Sequence, residues 1–346
     1  ERFERRVGIT DGLGPVYNAR SCADCHDNPV IGGISQVTEF RAGHFSGGNF
    51  VEHPGGSLLQ DRAIDASLQE RLLGGNEVRT YRNSLNLLGD GFVEAITDAT
   101  LQSLSNAEPS ALRGTLIQVP VLEAPGATSA GRFGWKNQNA SVLSIAAEMF
   151  RDAEGMTNRL FPVENTSNGR SVASFDQVLD PEDVFNDIDS FALFLGATKA
   201  PPRDDVLAQM PSAQAGNQLF LTIGCGICHV TTIITAPAGT AINGGAFAVP
   251  AALGDKIIHP YSDFLLHDVG TGDGIAENGR QFARNMLRTP PLWGLRTRNR
   301  YMHDGRTKSL IEAIRRHKGQ AVPVKQNFNA LSNSSQADIL NFLNSL

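Results

Sequence analysis

Only four of the 346 residues are cysteine and only two are tryptophan, and the 30 Lys and Arg are balanced by 36 Asp and Glu. No stretch approaches the 18 or so consecutive apolar residues that a transmembrane helix requires, so the chain is not expected to span a membrane. The basic residues are scattered rather than clustered, and the formal net charge is -6. Neutralising a phosphate backbone needs clustered cations, so a nucleic-acid partner is not expected. Four cysteines are too few for a disulfide-dense scaffold, and with 35 Gly and 17 Pro the sequence is loop-rich without being of low complexity. The chain opens on Glu1 with no apolar leader, as expected of an exported protein whose signal has been removed.

What cysteine there is falls into two pentapeptides, Cys22-Ala23-Asp24-Cys25-His26 and Cys225-Gly226-Ile227-Cys228-His229. Local disulfides, a four-cysteine zinc site or redox dithiols would each account for Cys-x-x-Cys, but none accounts for the histidine. With 8 His in the chain, one would follow a given pair by chance about once in 40, and both pairs roughly once in 2000. Cys-x-x-Cys-His is the attachment signature of c-type haem, in which two thiols form thioethers to the vinyl groups and the adjacent His ligates the iron. Two covalently bound haem c groups are therefore expected, on Cys22, Cys25 and His26 and on Cys225, Cys228 and His229. Such attachment occurs outside the cytoplasm, which makes the periplasm the expected compartment.

One motif in each half suggests two cytochrome c-like haem domains, 1–203 and 204–346, divided at the Pro201-Pro202-Arg203 linker. The pattern predicts a mainly α fold with long loops and little β structure. Asp180-Pro181-Glu182-Asp183 reads as a helix start followed by an apolar face from Val184 to Leu195. Ser141 caps a segment bearing Val142, Ile145, Ala146, Met149 and Phe150. Further helices are expected from about Ser212, and at the C-terminus through Ile339, Leu340, Leu343 and Leu346. Val119 to Leu122 and Thr231 to Thr235 are short strand candidates.

The second axial position of each iron separates electron transfer from catalysis, because a filled site shuttles electrons and an open one binds small oxidants. His317 falls at helical spacing from Ile314 and Leu310, on the inward face of a helix that Gly319 ends, and is a ligand candidate for the second haem. His303 and its neighbour Met302 precede that helix. His44 and His53, in Gly-rich stretches after His26, are candidates to ligate or line the first haem.

Several longer stretches, Gly131-Arg132-Phe133-Gly134-Trp135-Lys136, Tyr261 through Asp268, Arg288 through Gly294 and Met302-His303-Asp304-Gly305-Arg306, match one family together with the Gly12 to Gly33 opening. The chain resembles the bacterial di-haem oxidoreductases, some labelled thiol oxidoreductases, which are related to the di-haem cytochrome c peroxidases and the maturation oxidase of methylamine dehydrogenase. In those peroxidases the second ligand of the C-terminal haem follows the His of the His-Asp-Gly motif by 14 residues, commonly as Met. The resemblance places His317 there and implies a lower-potential haem. It also implies that Trp135 lies between the haems as an electron relay. Arg82-Asn83-Ser84 resembles a segment whose Asn helps bind an inter-haem calcium, although the companion residues are replaced around Arg298 and Arg300.

The family's acid–base pair is not matched cleanly, since Ile145 stands in place of a Gln; Glu94 and Glu154 are the carboxylate candidates. The resemblance implies reduction of hydrogen peroxide at the N-terminal haem, with electrons from a small periplasmic donor, a cytochrome c or cupredoxin, passing through the C-terminal haem. Two alternatives stay open: an electron carrier with both haems six-coordinate, and an oxidase of a protein partner. With every cysteine committed to haem, thiol chemistry has little support.

Overall fold

The computed structural model describes residues 2–346. Among the described residues the α-helices are α1 (Asp90–Glu94), α2 (Asp98–Ala107), α3 (Val142–Glu154), α4 (Asp187–Ala197), α5 (Asp205–Ala208), α6 (Pro211–Thr222), α7 (Leu310–Arg316), α8 (Val322–Ala330) and α9 (Asn333–Leu343). The expected mainly α character does not hold: the chain is 32% helical and 16% strand, with several small sheets. The largest sheet is antiparallel and centres on Thr38–Ser46, which pairs with Asn49–Glu52, Leu58–Leu59 and Val78–Asn83. In Val78–Asn83, buried Val78, Thr80 and Arg82 alternate with exposed neighbours, the period-2 signature of a half-buried strand. The expected strands are present in shortened form, at Gln118–Pro120 and Ile233–Ile234.

Helix α3 begins where its cap predicts, with Ser141 Oγ accepting from Ser144 N. It ends on Gly155 at φ 73°, and a Cβ on Gly14 would lie 2.6 Å from the Gly155 Cα. That close backbone approach, with Gly14 N donating to Glu154 O (3.1 Å) and Ala19 N to Ala153 O (2.9 Å), docks the end of α3 on the segment leading to Cys22. Helix α4 starts at Asp187, seven residues beyond the start expected at Asp180. The Asp183 carboxylate accepts from Asp187 N (2.6 Å) and Ile188 N (3.2 Å), and so caps the helix from outside it.

Helices α6 and α9 pack so closely that a Cβ on Gly216 would overlap the Asp338 carbonyl. The segment expected to divide two domains runs without helix or strand and lies on α9, where Arg203 donates to Ser345 Oγ (2.9 Å) and stacks on Phe342. The largest core crosses that line, because Ile233, Ile258, Phe264 and Trp293 pack with Val93, Phe133 and Phe150. A second core, of Phe220, Tyr261, Phe328, Ile339 and Phe342, lies wholly in the C-terminal part.

Candidate haem sites

Both pentapeptides fold as 3-10 turns. Ser21 caps the first, Cys22–Asp24, and α6 with Gly224 leads into the second, Cys225–Ile227. Each turn closes from the His backbone: His26 N donates to Cys22 O (2.9 Å) and His229 N to Cys225 O (3.0 Å). The Cys pair, three residues apart on one turn, shares a face. No two of the four thiols are joined. Burial pushes Cys25 up to about 11 and Cys225 up to about 12. Thiols held so far from ionisation are poor nucleophiles and poor redox dithiols.

The histidines are prepared alike. His26 Nδ1 donates to Gly33 O (3.0 Å), His229 Nδ1 to Tyr261 O (2.9 Å) and His317 Nδ1 to Ala313 O (2.9 Å). A carbonyl can only accept, so each ring carries its proton on Nδ1 and keeps Nε2 as a lone-pair donor, the form a metal needs. Desolvation pushes all three pKa values down, His229 to about 4, which keeps the rings neutral.

His229 and His317 line one cavity with Cys225, Cys228, Phe328 and Leu343. His317 is not on the helical face where its spacing put it. Helix α7 stops at Arg316, and His317 follows as an extended cap residue whose ring turns back to satisfy a last-turn carbonyl. Trp135 lines the same cavity, as does Ile34, the residue after the carbonyl that holds His26. Its Nε1 donates to Asn83 O (2.7 Å), and its ring meets His303 edge-on at 6.1 Å.

The N-terminal histidines behave differently. His53 is buried, with Nδ1 donating to Pro54 O (3.1 Å) and Nε2 accepting from Leu73 N (3.1 Å), so it has no nitrogen left for iron. His44 stands near the tip of the Thr38–Ser46 hairpin, opposite Val51. The two carboxylate candidates separate as well, since α3 sets them about 18 Å apart at its opposite ends. Glu94 accepts from Val142 N (3.0 Å) and Asn243 Nδ2 (3.2 Å), which makes it a cap for the start of α3. Glu154, at the other end, has Oε1 3.7 Å from Cys22 Sγ, and burial raises it to about 7. The docking of α3 on the Gly14 segment is what brings Glu154 to the first motif.

A family model described as "Di-haem oxidoreductase, putative peroxidase" matches residues 58–346. The chain belongs to that family. It is an oxidoreductase, and membership implies haem as its cofactor. The match begins beyond the first Cys-x-x-Cys-His and includes the second. No curated protein matches the chain. Among solved structures, a MauG-like protein associated with microbial copper homeostasis is 16% identical, with 100% of this chain and 86% of that one covered at a TM-score of 0.44. The diheme peroxidase BthA from Burkholderia thailandensis E264 is 14% identical over 99% and 89% of the two chains, also at 0.44. Kuenenia stuttgartiensis hydrazine synthase, in a structure pressurised with xenon, is 13% identical over 99% and 94%, again at 0.44. Likeness at that level says nothing of activity.

Two features of this di-haem oxidoreductase escaped sequence reasoning. His267 Nε2 donates to Asp263 (2.8 Å), and its Nδ1 lies 3.7 Å from Cys228 Sγ. Burial lowers its pKa, but the bonds to Asp263 and Cys228 and the charges there together outweigh this and raise it to about 10. The His267–Asp263 pair thus stands beside the second motif. Glu148 and Asp152, one turn apart on α3, line a polar cavity of about 600 Å³ with Arg41, Gln60 and Glu277. Burial pushes both carboxyls up. Their i, i+4 spacing was the legible signal. Asn83, the residue the resemblance links to calcium, leaves Oδ1 buried and without a partner, while Arg298 and Arg300 line the same cavity in place of oxygen donors.

Proposed function

We propose that the chain is a periplasmic di-haem c-type peroxidase that reduces hydrogen peroxide at its N-terminal haem. Cys22, Cys25 and His26 would hold that haem, and Cys225, Cys228, His229 and His317 the other. When bound, the haems supply the redox chemistry, two electrons and two protons converting peroxide to two waters. Trp135, on the wall of the cavity that His229, His317 and Ile34 also line, is suited to relay electrons between them. Glu154 beside Cys22 is suited to move a proton, since its pKa is raised to about 7. The donor would be a small cytochrome c or cupredoxin. No helix among the described residues is long and apolar enough to cross a membrane.

One asymmetry carries this reading. The second motif shares its cavity with a further neutral His whose Nε2 is free, whereas of the two His expected near the first motif one is fully hydrogen-bonded and the other stands near a hairpin tip. One filled and one open iron suit a peroxidase better than a two-haem carrier. The experiment is mass spectrometry with electron paramagnetic resonance of the ferric protein, followed by peroxide turnover after one-electron reduction. A gain of two haems, one low-spin and one high-spin or converted to high-spin on reduction, with turnover, is expected. Two low-spin haems inert to peroxide in both states would leave an electron carrier.

A further inference from the structure

In the connection between α3 and α4, a second cluster of acids stands apart from the haem motifs. The chain between Glu154 and Asp187 forms no helix or ladder, only isolated bridges at Asn158–Phe161 and Ser167–Arg170. A stretch of that length without regular structure is uncommon inside a compact fold and must be held by something else. Glu164, Asp176, Asp180 and Glu182 each bring a carboxylate oxygen to within 4.8 Å of the other three.

Few donors meet these eight oxygens. Thr157 N donates to Glu182 Oε2 (2.6 Å), the Thr157 hydroxyl has one proton to share between Asp180 and Glu182, and Val178 N donates to Asp176 Oδ1 (3.1 Å). Among the described residues no Lys, Arg or His pairs with any of the four. Glu182 is 7% exposed, and its Oε1 has no partner. Both oxygens of Glu164 are closed to solvent and equally unpartnered. Buried carboxylate oxygens left without donors cost several kcal/mol each, so something must neutralise them.

Protons can answer only part of this. Burial and then the Glu182 charge push Glu164 up to about 9, so one proton would settle that pair. Asp176 and Asp180 would still converge on it. A cation satisfies all four at once, and the donor set, oxygen only with no thiolate or imidazole, selects a hard ion over zinc or copper. Calcium accepts six to eight oxygens in irregular arrangements, whereas magnesium demands an octahedron and retains water.

We propose that Glu164, Asp176, Asp180 and Glu182 form a calcium site that fastens the α3–α4 connection. Thr157, which binds two of the ligands, lies three residues beyond Glu154, and the Glu182 side chain packs on Gly12. The ion would thereby pin this connection to the end of α3 and to the segment leading to Cys22. Asn83 takes no part in it. The site rests on these carboxylates alone and stands whether or not the peroxidase reading does.

The test is calcium titration of the EDTA-treated, haem-loaded protein by calorimetry, with melting temperature read in parallel and MgCl2 as comparison. Wild type should bind calcium and melt several degrees higher with it. Glu164→Gln combined with Glu182→Gln should weaken that binding at least 100-fold, yet melt no lower than wild type without metal, because the substitutions remove repulsion. Should the double variant fail to fold, Asp180→Asn, at an exposed position, should still weaken binding about tenfold. The same calcium stoichiometry and affinity in wild type and variants, or equal stabilisation by magnesium, overturns the assignment.

Discussion

The two Cys-x-x-Cys-His turns share a 3-10 backbone and a bond from each His Nδ1 to a backbone carbonyl, yet their surroundings diverge. The C-terminal turn opens on a largely apolar cavity with a second neutral His, and its near carboxylate, Asp263, is taken up by His267 beside Cys228. The N-terminal turn sits among carboxylates: Glu154 against Cys22, and Glu39, whose charge is felt at both Cys25 and His26. Glu39 pairs with Arg41 (3.2 Å), which leads on to Glu148 and Asp152. An apolar site with two strong ligands suits electron storage; proton-coupled chemistry needs acids within reach. On the proposed reading, the same attachment chemistry would serve two tasks because different elements pack around it.

The comparison breaks most visibly at the first motif. His26→Ala should abolish peroxide turnover, with a loss of more than about 10³-fold, while the C-terminal haem keeps its low-spin spectrum. His317→Ala should convert that C-terminal haem from low-spin to high-spin and slow turnover by about tenfold or more; an unchanged spectrum would remove His317 from the site. Trp135→Leu should leave both spectra intact and slow electron transfer between the haems, read by stopped flow after one-electron reduction.

A finer distinction separates the ends of α3. Glu154 titrates near 7 in the fold, so if it accepts the first proton the wild-type rate should rise with pH through that value. Glu154→Gln should flatten this rise. Because burial raises its folded pKa above the unfolded value, Glu154 favours the folded state below about pH 4.5, and this contribution is lost as pH climbs toward 7. Glu94→Ala should cost about 1–3 kcal/mol of stability through the lost cap and leave the shape of the rate profile alone. The smallest effect belongs to His44→Ala, which should change neither spectrum nor rate.

Much of this was legible in the residues. The two Cys-x-x-Cys-His turns follow from spacing within five residues, and α3 from its Ser141 cap and 3.6-residue period. The sheet was missed because its central strand mixes Gly43, Arg41 and His44 into a pattern that reads as loop; its pairing partners lie up to 45 residues away, at Val78–Asn83. The Asp180 segment was read as a helix start because Asp-Pro-Glu-Asp has the local chemistry of one. In the fold, Asp183 caps α4 from a distance, and Asp180 and Glu182 turn to the carboxylate cluster.

Attachment turns, caps and periodicity depend on neighbours along the chain, so sequence alone determined them. Which carboxylate meets Cys22, which His has a nitrogen to spare and which acids lack a counter-charge were decided only by tertiary packing. Those properties come from desolvation and from partners far apart in the chain: Glu154 and Glu94 are both buried acids raised to about 7, and only the docking of α3 on Gly14 sets one beside a haem motif and leaves the other as a cap.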